Sequence, residues 1–163
     1  MMDNFEQLGL LAEISAALLG FIAVFIALSN EDGKFSESDR HFIQALVLCC
    51  TFAIVFALVP GALIRLTDTA RAWDLTLYAA TACAIVVTVL MAWEQARMSL
   101  EESRSVHWLW HVPPWTQGAI AFLMLAKSYI NRAETASYFV VALTLMIGIA
   151  LWCFIAIVFR RFF

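Results

Sequence analysis

One acid stands inside the first long apolar segment of the chain, and it is the side chain best placed to do chemistry. Glu13 lies within the run 8–28, whose other residues are apolar, small or hydroxylic. A charged side chain at the centre of a bilayer costs on the order of 3 kcal/mol and marks an ion path, a proton path or an ion pair. Three states stay open for Glu13: a neutral, protonated acid, an acid paired with a basic residue, or an acid that lines water and binds cations. A purely structural role in fixing helix register is an equally open interpretation.

The basic partner of this acid depends on how often the chain crosses the membrane. With five crossings, Lys127 lies near the same membrane face as Glu13, and a Glu13–Lys127 pair becomes feasible, with Arg65 as the substitute. With four crossings, Lys127 lies on the opposite side. Gln44 is a further polar residue within an apolar run, and it shares a helix face with Thr51. We therefore consider Glu13, Lys127, Arg65 and Gln44 together as candidate pore-lining or buried polar residues.

Small residues recur along the first segment in step with Glu13, at alternating intervals of four and three. The stripe consists of Gly9, Ala16, Gly20, Ala23 and Ala27. Helices in lipid associate by close backbone approach across such residues, and a repeat of 3.5 residues favours a left-handed helix pair. We expect the stripe and its acid to pack against another helix, at the centre of the bundle, while the bulky faces meet lipid or other neighbours.

Other chemistry-bearing patterns are weak. His107 and His111 are four residues apart, a spacing that can hold a metal ion on a helix. Neither a cysteine nor a carboxylate lies beside them to complete a site, so they are only weak metal candidates. No nucleophile or metal cluster suggests catalysis. We therefore expect a protein that is not an enzyme and that carries no cofactor.

Composition places these residues in a membrane. The chain has 163 residues, of which 63% are hydrophobic and 14% charged, with a mean hydropathy of +0.85. A typical soluble domain is roughly 45–50% apolar and about 25% charged. The net charge of −3 offers no basic surface for nucleic acid. These values argue against a soluble enzyme, a nucleic-acid-binding domain and a disordered chain.

The apolar runs predict an all-α transmembrane bundle in a single domain, 1–163. A spanning helix needs roughly 20 mostly apolar residues, and backbone groups in lipid must bond within their own segment. We expect five spans, at about 8–28, 42–64, 75–93, 113–130 and 137–159. The segment 113–130 is the doubtful one, because Lys127 interrupts it. The alternative is four spans plus a re-entrant or interfacial helix.

Capping residues, tryptophans and basic residues predict where some spans end and how the chain is oriented in the membrane. Ser36 and Asp39 have the spacing of a helix N-terminal capping pair, and Trp73 and Trp93 bracket the third span like two aromatic belts. With five spans, one side holds four basic residues (Arg65, Arg71, Lys127, Arg132) and the other holds six (Lys34, Arg40, Arg97, Arg104, Arg160, Arg161). This excess predicts an outside N-terminus and a cytoplasmic C-terminus.

The first span also carries a string that resembles a family. Residues 11–21 read Leu-Ala-Glu-Ile-Ser-Ala-Ala-Leu-Leu-Gly-Phe. This resembles small uncharacterised bacterial membrane proteins whose first helix contains Ala-Glu-Ile-Ser-x-x-x-x-Gly-Phe. The resemblance extends to length and to the order of later elements, including Arg71-Ala72-Trp73 before the third span. It implies five spans and a bacterial inner membrane, and it implies no activity.

Two functions fit these observations. The first is a symmetric homo-oligomer that forms an ion channel or pore, with Glu13 as a ring of acids near one mouth; a membrane effector is one such role. The second is a non-conducting scaffold or accessory subunit that anchors a partner complex. The expected partners are the lipid bilayer, further copies of the chain and ions, with no nucleic acid.

Overall fold

The described part of the chain forms five helices. A computed structural model describes residues 2–29, 36–97, 112–131 and 134–162, and no strand occurs within these ranges. The helices are α1 (Met2–Ser29), α2 (Glu37–Ile64), α3 (Thr69–Arg97), α4 (Val112–Ile130) and α5 (Thr135–Phe162). The predicted all-α class is confirmed.

Side-chain caps fix where α2 and α3 begin. The Ser36 hydroxyl accepts a hydrogen bond from the Asp39 backbone N–H at 3.1 Å, and the Asp39 carboxylate accepts one from the Ser36 N–H at 3.3 Å. This reciprocal pair satisfies two helix donors that would otherwise lack partners, and it confirms the predicted cap. At the start of α3, Asp68 accepts a hydrogen bond from the Arg71 N–H at 2.9 Å.

Aromatic contacts show that α1, α3 and α5 run in the same direction. At one end of the bundle, the Trp73 ring lies 6.0 Å from that of Phe5 and 5.9 Å from that of Phe139. These contacts join the first turns of α1, α3 and α5. At the other end, Phe25 of α1 meets Phe154 of α5 at 6.3 Å. We call the first of these the Trp73 end and the second the Ser36 end.

Trp73 itself departs from the sequence expectation. Its side chain is only 7% exposed, whereas that of Trp93 is 57% exposed. The interpretation of Trp73 as an interfacial belt residue is wrong, because Phe5 and Phe139 enclose its ring in the core. The spacing from Trp73 to Trp93 gives their separation along the helix but not the direction in which either ring points.

Helices α2 and α5 form the centre of the bundle. Each has a broad buried face, which includes Leu46 and Ala53 of α2 and Leu143 and Ala150 of α5. Helix α1 packs against both of them, α3 packs mainly on α2, and α4 packs mainly on α5. The core is therefore built around the α2–α5 pair and not around the small face of α1.

Four of the described helices are long and apolar enough to cross a membrane: α1, α2, α3 and α5. The apolar part of α4, Gly118–Ile130, is shorter than that requirement. Nevertheless, α4 runs along α3 for most of its length. Trp115 donates a hydrogen bond to Gln95 at 3.1 Å towards the Ser36 end, and the Tyr129 hydroxyl donates to the carbonyl of Leu77 at 3.3 Å towards the Trp73 end. The two bonds are about 21 Å apart along α4, at 1.5 Å per residue.

Candidate functional site

The face of α1 that packs inside the chain is bulky. Leu8, Leu11, Ser15 and Ile22 are buried against α2 and α5. The Ser15 hydroxyl donates to the Leu11 carbonyl at 2.8 Å, so this polar group is satisfied within its own helix. These residues also repeat at intervals of three, four and seven, which is the geometry of a left-handed helix contact.

The small face of α1 points the other way. Glu13, Ala16, Gly20, Ala23 and Ala27 are all exposed, and Gly9 is half-buried. At 100° per residue, this stripe lies about 140° around the helix from the packed one. Among the described residues no helix covers the stripe, so the expectation that the bundle of a single chain packs around this face is wrong. In lipid, a face of bulky side chains and a face of small side chains can both pack against another helix, and α1 packs within the chain through its bulky face.

A second acid extends the small face towards the Trp73 end. Glu6 lies seven residues before Glu13, and its side chain is also exposed. Seven residues bring a side chain back to nearly the same face, about 10.5 Å along the axis. Glu6 is not among the candidate residues that the sequence predicts. The heptad step from Glu13 is the signal that could have placed it on the stripe. We call the surface formed by Glu6, Gly9, Glu13, Ala16, Gly20, Ala23 and Ala27 the open face of α1.

Within the described part of the chain, no basic side chain pairs with Glu13. An ion pair there joins Arg71 to Asp68 at 3.4 Å, and none joins Glu13 to Lys127 or Arg65. Helix α4 packs on α5 and along α3, whereas α1 packs on α2 and the other side of α5. The proposed Glu13–Lys127 pair is therefore not formed within one chain, and Arg65 does not replace it.

The remaining polar candidates lie apart from one another. Lys127 is exposed, and its ammonium group lies 5.9 Å from the centre of the Tyr138 ring. Arg65 is exposed just after α2, where its backbone N–H donates hydrogen bonds to the carbonyls of Ala62 and Leu63. Gln44 is exposed near the opposite end of α2, on the same outward face as Thr51. These residues and Glu13 do not form one polar site within a single copy.

The predicted metal candidates cannot be placed. His107 and His111 lie outside the described residues. Within the described ranges, no group of three or more histidine, cysteine, aspartate or glutamate side chains is arranged to hold a metal ion. The four cysteines are free, and Cys49, Cys50 and Cys153 are buried.

Comparison with known proteins yields no relative. No family model, no curated protein and no solved structure matches the chain. The resemblance of residues 11–21 to small bacterial membrane proteins therefore stays a prediction. The functional argument rests on the open face of α1, where two carboxylates and five small residues share one surface of a helix long enough to cross a membrane.

Proposed function

We propose that the protein is a symmetric homo-oligomer in a bacterial inner membrane and that it forms a small cation-conducting pore. In this assembly, the α1 helices surround the symmetry axis: the small residues of the open face contact the neighbouring copy, and the acids of that face point towards the axis. Glu13 then forms a ring of acids inside the membrane, and Glu6 forms a second ring nearer the mouth. The N-terminus lies outside and the C-terminus in the cytoplasm.

The observation that supports this proposal most strongly is the exposure of Glu13. It lies within Asn4–Ala27, a segment apolar and long enough to cross the membrane, and no described residue pairs with it. A carboxylate facing hydrocarbon is costly, and such residues normally face a bundle interior or a water-filled cavity. Because the described helices leave Glu13 uncovered, further copies of α1 are the simplest way to give it a polar environment.

The residues around the acid support close assembly. A Cβ added at Gly9 or Gly20 would meet no other atom within 4 Å, so both positions lie open to an approaching helix. Small residues at these positions allow two backbones to come near each other. A closed symmetric arrangement is the common outcome for a self-complementary surface.

The acid rings support conduction of cations in particular. Rings of aspartate or glutamate side chains are an established means of selecting cations in channels. The open face carries two acids and no basic residue. An oligomer built on this face would therefore present negative charge to the axis and would attract cations over anions.

Ion flux through purified protein in phosphatidylcholine vesicles tests the proposal. We expect cation flux with the wild-type protein, and we expect Glu13→Gln to reduce the preference for cations over anions. Glu134→Gln is the control for the loss of one negative charge, because Glu134 is exposed at the Trp73 end, directly before α5 and off the open face of α1. That control should keep the wild-type selectivity.

Two outcomes would contradict the pore. Wild-type vesicles that pass no ions, although the protein is oligomeric, would favour the non-conducting scaffold or accessory subunit. Flux with unchanged selectivity in both Glu6→Gln and Glu13→Gln would remove the acids from the conduction path. The scaffold uses the same open face of α1 but binds a helix of a partner complex there.

A further inference from the structure

A cavity of about 670 Å³ lies between α2, α3, α4 and α5. None of the described residues of α1 lines it, so it is separate from the open face of α1. This volume is within the range of about 300–1,000 Å³ that is typical of small-ligand sites. Its shape, lining and opening together indicate what occupies it.

The cavity runs along the helices from the Ser36 end towards the middle of the bundle. His41, Met91 and Trp115 lie at its outer end, and Ala84, Leu125 and Met146 lie at its inner end. From Trp115 to Leu125 the rise along α4 is about 15 Å at 1.5 Å per residue. One leaflet of a bilayer contributes roughly half of a hydrocarbon core that is about 30 Å thick. The cavity is therefore about as deep as one layer of acyl chains.

The walls are apolar, and their polar groups lie mainly at the outer end. There His41 is buried, and Trp115 donates a hydrogen bond to Gln95 at 3.1 Å. Deeper, the hydroxyl of Thr88 is satisfied by the Ala84 carbonyl at 2.8 Å. Cavities with apolar walls stay dry and accept apolar ligands. A sugar, a nucleotide or an ion would lose its hydration in the inner part without gaining hydrogen bonds.

The cavity opens sideways, between α3 and α4, within the segment of α3 that is apolar enough to cross a membrane. Ile85 and Val89 of α3 line it and are 48% and 60% exposed. Phe122 and Leu123 of α4 also line it and are 46% and 59% exposed. The apolar wall is thus continuous with the outer surface between α3 and α4, which is the surface that meets lipid.

We propose that this cavity is a binding site for one acyl chain of a bilayer lipid. The chain enters between α3 and α4, its terminal methyl group lies near Ala84 and Leu125, and the polar head of the lipid lies beside His41 and Trp115. The site does not depend on self-association, so it stands or falls separately from the pore.

Photocrosslinking with two phosphatidylcholine probes tests the site and the orientation of the lipid. One probe carries a diazirine near the terminal methyl of an acyl chain, and the other carries it near the ester. After illumination in phosphatidylcholine vesicles, mass spectrometry locates the modified residues. We expect the distal probe to modify Leu125 or Met146 and the proximal probe to modify Trp115 or Met91.

A bulky side chain inside the cavity should abolish the inner labelling. Ala45→Phe places a ring in the cavity from α2, and Ala79→Phe is the matched control, because Ala79 is exposed on α3 outside the lining. Gly118→Leu fills the cavity from α4 and serves if Ala45→Phe does not fold. A Cβ at Gly118 meets Ile149 at 3.9 Å, which is ordinary contact. We expect both filled variants to lose labelling by the distal probe, and we expect the control to be labelled as the wild type is.

Two results would overturn the proposal. The first is a distal probe that modifies only the outer surface of the wild-type protein, which would show that something other than lipid fills the space. The second is inner labelling that persists in both filled variants.

Discussion

Replacing Gly20 by leucine should separate the assembly of the protein from the folding of a single copy. Gly20 lies at the middle of the open face of α1, and a Cβ there would meet no atom within 4 Å. Substitutions at such uncovered positions usually change the free energy of unfolding by no more than about 0.5 kcal/mol. The single copy should therefore fold as the wild type does.

The same substitution should weaken a close contact between copies. Inserting a bulky side chain where two surfaces are tightly packed typically costs about 1–3 kcal/mol. Since each 1.4 kcal/mol is a factor of ten in an equilibrium constant, the association constant should fall about 5- to 150-fold. Energy transfer between donor-labelled and acceptor-labelled copies in vesicles, measured as lipid is added to dilute the protein, gives this constant.

Gly61→Leu is the control for the change of residue type. Gly61 lies in α2, and a Cβ there also meets no atom within 4 Å. It is not on α1, so the association constant should stay at the wild-type value. Unchanged association in Gly20→Leu, or an equal loss in both variants, would refute the assignment of the open face as the contact surface.

Two further experiments test the fold. Phe139 is 0% exposed, and Phe139→Ala should lower the free energy of unfolding in mixed detergent micelles by about 3 kcal/mol. This is the lower end of the range for buried phenylalanine, because the unfolded side chain meets apolar detergent rather than water. Leu151→Ala, at a 46% exposed position, should lower it by under about 1 kcal/mol. Equal losses would contradict the assigned core. The second experiment tests whether α4 crosses the membrane, with single cysteines at Arg97 or Asn131 in a protein without its native cysteines. We expect the two cysteines to react with a membrane-impermeant maleimide from opposite sides of the membrane. Reaction from the same side would mean that α4 does not cross.

Local signals in the sequence were sufficient to predict the all-α fold class and the start of α2. Long uncharged runs predicted α2 and α5, since only a helix satisfies its backbone within lipid. Ser36 and Asp39 predicted the α2 cap, because capping depends on residues three positions apart. The crossing of α4 could not be decided in the same way. Its apolar part is short, and Lys127 is close enough to its end to reach the interface.

The direction in which α1 packs could not be read from its sequence. Both its small stripe and its bulky stripe repeat every 3.5 residues, and in lipid neither has a strong hydrophobic preference for the interior. The outcome depends on the shapes of α2 and α5, which present a buried surface to Leu8, Leu11 and Ile22. The cavity could not be predicted from the sequence either, because it arises where α3 and α4 leave a space beside α2 and α5.

Cysteine crosslinking along α1 tests most directly whether copies of the chain meet at the open face. In a protein without its native cysteines, Ala16→Cys lies on that face, and Phe21→Cys, at a 67% exposed position, lies about 100° around the helix from Gly20 of that face. We predict that mild oxidation in vesicles converts Ala16→Cys into a disulfide-linked dimer and leaves Phe21→Cys monomeric. Ala16→Cys that stays monomeric and instead reacts with a thiol probe carried on a lipid acyl chain would show that the acid-bearing face meets lipid, and would contradict the account.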